Sequence, residues 1–220
     1  MGCKQGFARN DTTNTTMKKD IGIGLLGLGT VGSGVAKVLA TRADSLAEQA
    51  GLPLILRKVL ERDVSKRCPA ELGPNLLTTH AEEVLSHPEV DIVIELIGGE
   101  HPATEYIKQA IANGKHVVTA NKEVIAKHGY ELFHLAKKHN VDLRYEASVG
   151  SGIPLIRPFQ RDLAANKMSA IHAILNGTTN YILTRMAHEG LDFASTLKRA
   201  QELGYAEADP ANDIEGIDAA

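Results

Sequence analysis

The sequence predicts an α/β fold: a parallel sheet covered by helices on both faces, followed by the opening of a second α/β unit. Three observations carry this. Short apolar, β-branched runs alternate with amphipathic stretches from residue 21 to about 150. A glycine-rich turn, "GLGTVG", separates the first such run from the first helix. The alternation then changes character at "GSGIP", Gly150 to Pro154.

Each element has its own signal. "IGIGLLG" (21–27) is a buried strand, and a helix follows from about Val31 to Ala50 with Val31, Val35, Val38, Leu39 and Leu46 as its apolar stripe. "LPLILRKVLERD" is a second strand ending in charge, and "LLTTH" is a short third. "EVDIVIELIGG" is a strand closed by glycines. "PATEYIKQAIANG" has Pro102 near its start and Gly114 just past its end, the usual asymmetry of a helix. "KHVVTA" is a strand, "NKEVIAKHGYELFHLAKKHN" a helix, and "VDLRYEASVG" a further strand. Beyond Pro154 the expected order is a helix in "LIRPFQRDLAAN", a strand in "MSAIHAILNG", and helices near 178–189 and 193–203. The expected units are a leader at 1–16, a cofactor-binding domain at 17–150 and part of a second domain at 151–220.

Composition excludes several classes. The chain has 220 residues, 43% hydrophobic and 23% charged, ordinary values for a soluble globular protein. A net charge of −3 gives no reason to expect nucleic acid or an anionic membrane as partner. No apolar run reaches the roughly 18 residues of a membrane span. Cys3 and Cys68 form no metal spacing and no disulfide framework, so a reducing cytoplasm is the expected location. Residues 1–16 are polar and without periodicity, and read as a disordered leader, a misplaced start or a cloning remnant. Gly6 departs from the myristoylation pattern that Met1-Gly2 would otherwise begin.

The turn Gly27-Leu28-Gly29-Thr30-Val31-Gly32 has the context of a dinucleotide site, after a strand and before a helix. Gly27 permits the tight turn, Gly29 lets the backbone approach a pyrophosphate, and Gly32 lets the helix pack on the sheet. The helix amino terminus offers N–H groups and a positive dipole end to the phosphates. The end of the second strand, "LERDVSKR", holds both acids and bases. Arg62 and Lys66 suit a 2′-phosphate, so NADP is expected with NAD tolerated; the alternative is a solvated loop. Ile97, Gly98 and Gly99 end a strand where ligands bind in open α/β sheets, on the nicotinamide side, unless they form only a turn. Lys122 begins a helix, where its charge opposes the dipole; it is either a functional acid or base or a lysine that swings into water. The spacings of His128, His134 and His139 do not fit a helical zinc pair.

Near its end the chain carries Glu207, Asp209, Asp213, Glu215 and Asp218 with no lysine or arginine among them. A positive partner is expected for them.

With "GLGTVG", "ELIGG", "TANK", "EASVGSGIP", "LNGTTNYIL" and "AQELGYAEADPANDIEGIDAA", the chain resembles the homoserine dehydrogenases over about residues 21–220. The resemblance implies a Rossmann-type NAD(P)-binding domain followed by the start of a mixed α/β catalytic domain. It implies interconversion of L-homoserine and L-aspartate 4-semialdehyde, in the pathway to threonine and methionine, by a homodimer. It also implies site residues. Glu207 and Asp218, with Asp213 nearby, would bind the substrate ammonium, and Lys122 would contact cofactor and substrate. Asn176, Gly177 and Thr178 would line the reaction centre. Glu146, Val149, Ser151 and Ile153 would hold a monovalent cation such as sodium, mostly by backbone carbonyls, although Gly150-Ser151-Gly152 departs from the family's triple glycine. In the family, "DxxGxDxxxK" ends in a catalytic lysine one helical turn after the position of Asp218. This chain ends two residues before that position, so an amino-terminal fragment, inactive alone, is expected. The rival readings are a non-catalytic dinucleotide-binding module and an acylating oxidoreductase. The latter needs a nucleophilic cysteine, and Cys68 is poorly placed for that.

Overall fold

The computed structural model describes residues 18–63, 73–150, 152–174, 176–206 and 209–218. Lys66, Ser151 and Glu207, all expected in the site, lie outside the described residues.

The first unit is a six-stranded sheet in the order β3-β2-β1-β4-β5-β6, every neighbouring pair parallel. In chain order its elements are β1 (Ile21–Leu26), α1 (Thr30–Thr41), α2 (Ala43–Ala50), β2 (Leu54–Leu60), β3 (Leu77–Thr78), α3 (Glu82–Leu85), β4 (Ile92–Glu95), α4 (Ala103–Ala112), β5 (His116–Thr119), α5 (Lys122–Lys138) and β6 (Leu143–Arg144). The chain runs outward from β1 to β3, then returns to the other side of β1 with β4. That reversal leaves a crevice above the carboxyl ends of β1 and β4, where ligands bind in such sheets.

Alternation along β1 sends its side chains to opposite faces. Leu25 packs with Val59, Leu28 and Ala36 on one side, beneath α1. Leu26 packs with Val93, Ile107, Val117, Val124 and Leu132 on the other, beneath α4 and α5. Each face therefore has its own buried core, as expected for a parallel sheet covered on both sides.

The structure differs from the sequence expectations in several places. Of "VDLRYEASVG" only Leu143–Arg144 is strand, and Glu146–Ser148 turns into a 3-10 helix. The single helix expected over 31–50 is two, α1 and α2, because Arg42 leaves helical geometry (φ −121°, ψ 27°) and serves as both C-cap and N-cap. The short α3 was not expected; its buried Val84 and Leu85 are too few for a periodic signal. The expected helix after Pro154 contains a π-helical turn, Pro158–Asp162. The strand expected in "MSAIHAILNG" is irregular through its described residues, and Met168, Ile171 and Ile174 are 47%, 64% and 75% exposed. No described strand lies beside it, and a strand without a ladder partner leaves its backbone groups unpaired.

The second unit consists of α6 (Gly177–Glu189), α7 (Phe193–Glu202) and α8 (Ala211–Ile214) around a small core of Ile182, Ala200 and Ala206. Asn176 caps α6 by accepting from the Thr179 N–H, and Asp192 caps α7 by accepting from the Ser195 N–H. Among the described residues no helix is long and apolar enough to cross a membrane.

Candidate dinucleotide and substrate site

The glycine turn is built by close backbone contacts. Gly27 has φ +95°, and a Cβ there would meet the Leu96 carbonyl oxygen at 2.8 Å. A Cβ on Gly32 would lie 2.1 Å from the Gly27 carbonyl oxygen, so Gly32 lets the helix close on the turn itself rather than only on the sheet. Gly29 caps α1 with nothing within 4 Å of the Cβ position, which leaves open room over the helix amino terminus. Thr30 and Val31 lie exposed beside it. The Leu28 side chain is in the core and its N–H donates to Glu61 Oε2 at 3.0 Å. Glu61 Oε1 also accepts from the Asp63 N–H at 3.2 Å. Glu61, one of the acids at the end of β2, therefore braces the glycine turn, and Arg62 beside it is exposed.

On the other side of the crevice, Gly98 and Gly99 both have positive φ, +78° and +73°, with open space at their Cβ positions. This double left-handed turn suits only glycine. It is fixed from below by Asn121, whose Nδ2 donates to the Gly99 carbonyl at 2.7 Å and whose Oδ1 accepts from the Val124 N–H as the cap of α5. Glu100 follows the turn and ties it to α5. Its carboxylate accepts from Lys127 Nζ at 2.6 Å and pairs with His128 Nε2 at 2.8 Å. Lys127 and His128 together hold the Glu100 carboxyl down to about 2.

Lys122 opens α5 with its side chain 68% exposed, and its ammonium is ion-paired with the Asp218 carboxylate. A cation at a helix amino terminus is unfavourable alone; here the acid of the second unit compensates it. Asn176 Nδ2 donates to Asp218 Oδ2 at 2.6 Å and to Asp213 Oδ1 at 2.7 Å. Thr178 Oγ1 donates to the Tyr205 carbonyl at 2.6 Å, which fixes the start of α6, where Gly177 is the first residue. The structure thus brings Lys122, Asn176, Asp213 and Asp218 together, and the positive group awaited by Asp218 is found within the chain. Asp218 lies in a turn after α8 rather than on a longer helix.

The residues expected around a cation follow β6 in the chain. The Glu146 carboxylate accepts from the Leu155, Ile156 and Arg157 N–H groups at 2.5, 2.9 and 2.7 Å, which lowers its carboxyl below the ordinary range, the Leu155 bond foremost. Its side chain is therefore engaged by backbone. Val149 is extended, and Ile153 is exposed with its N–H on the Gly150 carbonyl. Among the described residues no group of three or more His, Cys, Asp or Glu side chains could hold a metal ion.

Sequence pattern placed Glu61, Glu95, Thr119 and Asn121 in "LERDVSKR", "ELIGG" and "TANK" but did not show what they bind. An acid inside the apolar run "IVIELI" and an asparagine just before a helix were the available signals.

A doubly covered parallel sheet, a glycine turn at its switch point and an open crevice beyond define a Rossmann-type NAD(P)-binding protein. Residues 27–146 match the family model "Homoserine dehydrogenase, NAD binding domain", and residues 154–220 match "Homoserine dehydrogenase". The chain belongs to the homoserine dehydrogenase family. It is 46% identical over 202 residues to homoserine dehydrogenase of Bacillus subtilis, covering 92% of this chain and 47% of that protein. It is 48% identical to that of Synechocystis, covering 90% and 45%. The crystal structure of a homoserine dehydrogenase from Thiobacillus denitrificans superposes with a TM-score of 0.84 at 49% identity, over 91% of this chain and 46% of that one. A hyperthermophilic archaeal homoserine dehydrogenase in complex with NADPH superposes with a TM-score of 0.77 at 28% identity, over 91% of this chain and 66% of that one. The chain spans about half the length of the curated relatives it matches.

Proposed function

We propose that this chain supplies the cofactor site and part of the substrate site of an enzyme that interconverts L-homoserine and L-aspartate 4-semialdehyde. The observation that carries the proposal is the meeting of Lys122 with Asp218, Asn176 and Asp213. A module that only bound a dinucleotide would have no use for this acidic set from a second unit.

The residues fit a nicotinamide dinucleotide. The space beside Gly29 and the positive end of α1 suit a pyrophosphate, and the open Gly98–Gly99 turn leaves room at the sheet's carboxyl edge. When bound, the cofactor would supply the hydride acceptor for oxidation at the substrate's hydroxyl-bearing carbon. Lys122 would hold or exchange the hydroxyl proton. Asp213 and Asp218 would receive the substrate ammonium, with Glu207 as a further acid, and Asn176 would fix the geometry of the two aspartates. Gly177 and Thr178 would line this pocket from the first turn of α6.

We propose NADP as the preferred cofactor with NAD accepted. Glu61 is engaged by the turn, leaving Arg62 exposed for a 2′-phosphate, with Lys66 as its second partner. A monovalent cation such as sodium would use backbone carbonyls of the 146–153 turn, at Glu146, Val149, Ser151 and Ile153, since the Glu146 carboxylate caps residues 155–157. We further propose a cofactor domain at 17–150, a catalytic unit from 151, a homodimer in the full-length enzyme and a cytoplasmic location.

The test is nicotinamide absorbance with homoserine in the full-length enzyme, wild type beside Lys122→Met. Homoserine-dependent reduction of NADP in the wild type, reduced at least about a hundredfold in the variant, is expected. Cofactor binding with no response to homoserine would overturn the substrate assignment.

A further inference from the structure

Glu95 ends β4 at the carboxyl edge of the sheet and has no exposed surface. Among the described residues no lysine, arginine or histidine is ion-paired with it. Its two oxygens are nevertheless both occupied. The Ile97 N–H donates to Oε1 at 2.8 Å and the Thr119 hydroxyl donates to Oε2 at 2.6 Å. The direction of the second bond follows from what surrounds it: Thr119 Oγ1 accepts from the Asn121 N–H at 3.0 Å, and among the described residues its own hydrogen has no acceptor other than Glu95 Oε2. Both oxygens accept and neither donates, the arrangement in which a carboxylate is best held.

A buried carboxylate without a cation is costly, and a neutral side chain would pack a strand end at less cost. The position of this one is informative. It lies at the crevice end of β4, two residues before Ile97 and three before Gly98, and its network continues through Thr119 and Asn121 to the first turn of α5. The reacting ring of a nicotinamide cofactor is positively charged when oxidised and neutral when reduced. A fixed negative charge close to a bound ring would favour the first form over the second.

We propose that Glu95 is a positioning residue that also acts electrostatically. It holds the Ile97–Gly98 turn and biases the bound cofactor toward its oxidised form. The inference rests on the nicotinamide reading above, but not on the identity of the substrate.

The experiment measures dissociation constants of NADP+ and NADPH, without substrate, for the full-length enzyme, Glu95→Gln and Glu95→Met, with Thr119→Val and Glu95→Asp as variants that retain the charge. Both neutral variants are expected to weaken NADP+ relative to NADPH on the order of tenfold. Thr119→Val and Glu95→Asp are expected to keep the ratio within about twofold, whatever they cost in thermal stability. Equal losses of the two forms in the neutral variants would reduce Glu95 to a structural brace and overturn the electrostatic role. That role is likewise overturned if both neutral variants fail to fold while Glu95→Asp folds. Unchanged affinities throughout would overturn the proposal entirely. A wild type that binds neither form would instead overturn the cofactor reading on which it rests.

Discussion

Lys122, the first residue of α5, is ion-paired with Asp218, a residue of the other unit, and Asn176 binds the second oxygen of the same carboxylate. The lysine side chain is 68% exposed, so the pair is screened by solvent and adds little to stability. Its consequence is instead geometric: it sets a carboxylate at the edge of the cofactor crevice. Asp218→Asn in the full-length enzyme should raise the KM for homoserine roughly ten- to a hundredfold, the loss of one charge-assisted bond. The thermal midpoint and cofactor affinity should hardly change. An unaltered KM would show that the acid only decorates a surface turn.

Two glycines of α1 should respond in opposite ways to the same substitution. A Cβ on buried Gly32 would lie 2.1 Å from the Gly27 carbonyl oxygen, whereas Gly34 is exposed with nothing within 4 Å. Gly32→Ala should destabilise by at least about 1–3 kcal/mol, the cost of forcing backbone apart. Gly34→Ala should stabilise by about 0.5–1 kcal/mol, as alanine does inside a helix. Urea unfolding midpoints of the two variants check the pair, and the same sign in both would contradict this account of the turn.

Arg62→Ala should weaken NADP(H) by about tenfold and leave NAD(H) nearly unchanged, because only the former carries the 2′-phosphate. Gly29→Val should weaken both, since it fills the space now open over the amino terminus of α1. Equal losses for both cofactors in Arg62→Ala would remove the arginine from 2′-phosphate recognition.

Much of the sheet was legible because each strand is short, apolar and bounded by its own turn chemistry, as in "KHVVTA" before the Asn121 cap. The π-turn at 158–162 was not, because no periodic signal distinguishes it from an ordinary helix. Met168, Ile171 and Ile174 carry a true strand composition, yet pattern alone does not supply a neighbouring strand. In the candidate site, Lys122, Asp213, Asp218 and Asn176 stand out in motifs, but their pairing does not, since they lie far apart in the chain. Glu61 and Glu95 are silent for a related reason: their partners include backbone N–H groups of other segments or turns, which leave no mark on side-chain spacing.

The Glu100 cluster makes a prediction about acid. The Glu100 carboxyl lies at about 2 in the folded chain against an ordinary value of 4.5, because Lys127 and His128 bind its charged form. A depressed carboxyl stabilises the fold above its unfolded value and loses that contribution as pH falls through the folded one. The stability difference between wild type and Glu100→Gln should therefore be constant above about pH 5 and shrink steadily as pH falls toward 2. Thermal midpoints across that range measure it; a gap that stays fixed to pH 2 would contradict the cluster.

Glu146 lies just past the last strand of the sheet, and its carboxylate grips the successive N–H groups of Leu155, Ile156 and Arg157 farther along the chain. Three bonds to one rigid carboxylate leave the connection little freedom to twist. In mechanical terms the joint is a bracket rather than a swivel, with a preferred angle built into it. Any movement that closed the Asp218 side over the cofactor crevice would have to keep Glu146 together with Leu155, Ile156 and Arg157 and bend elsewhere, or else unfasten that carboxylate first.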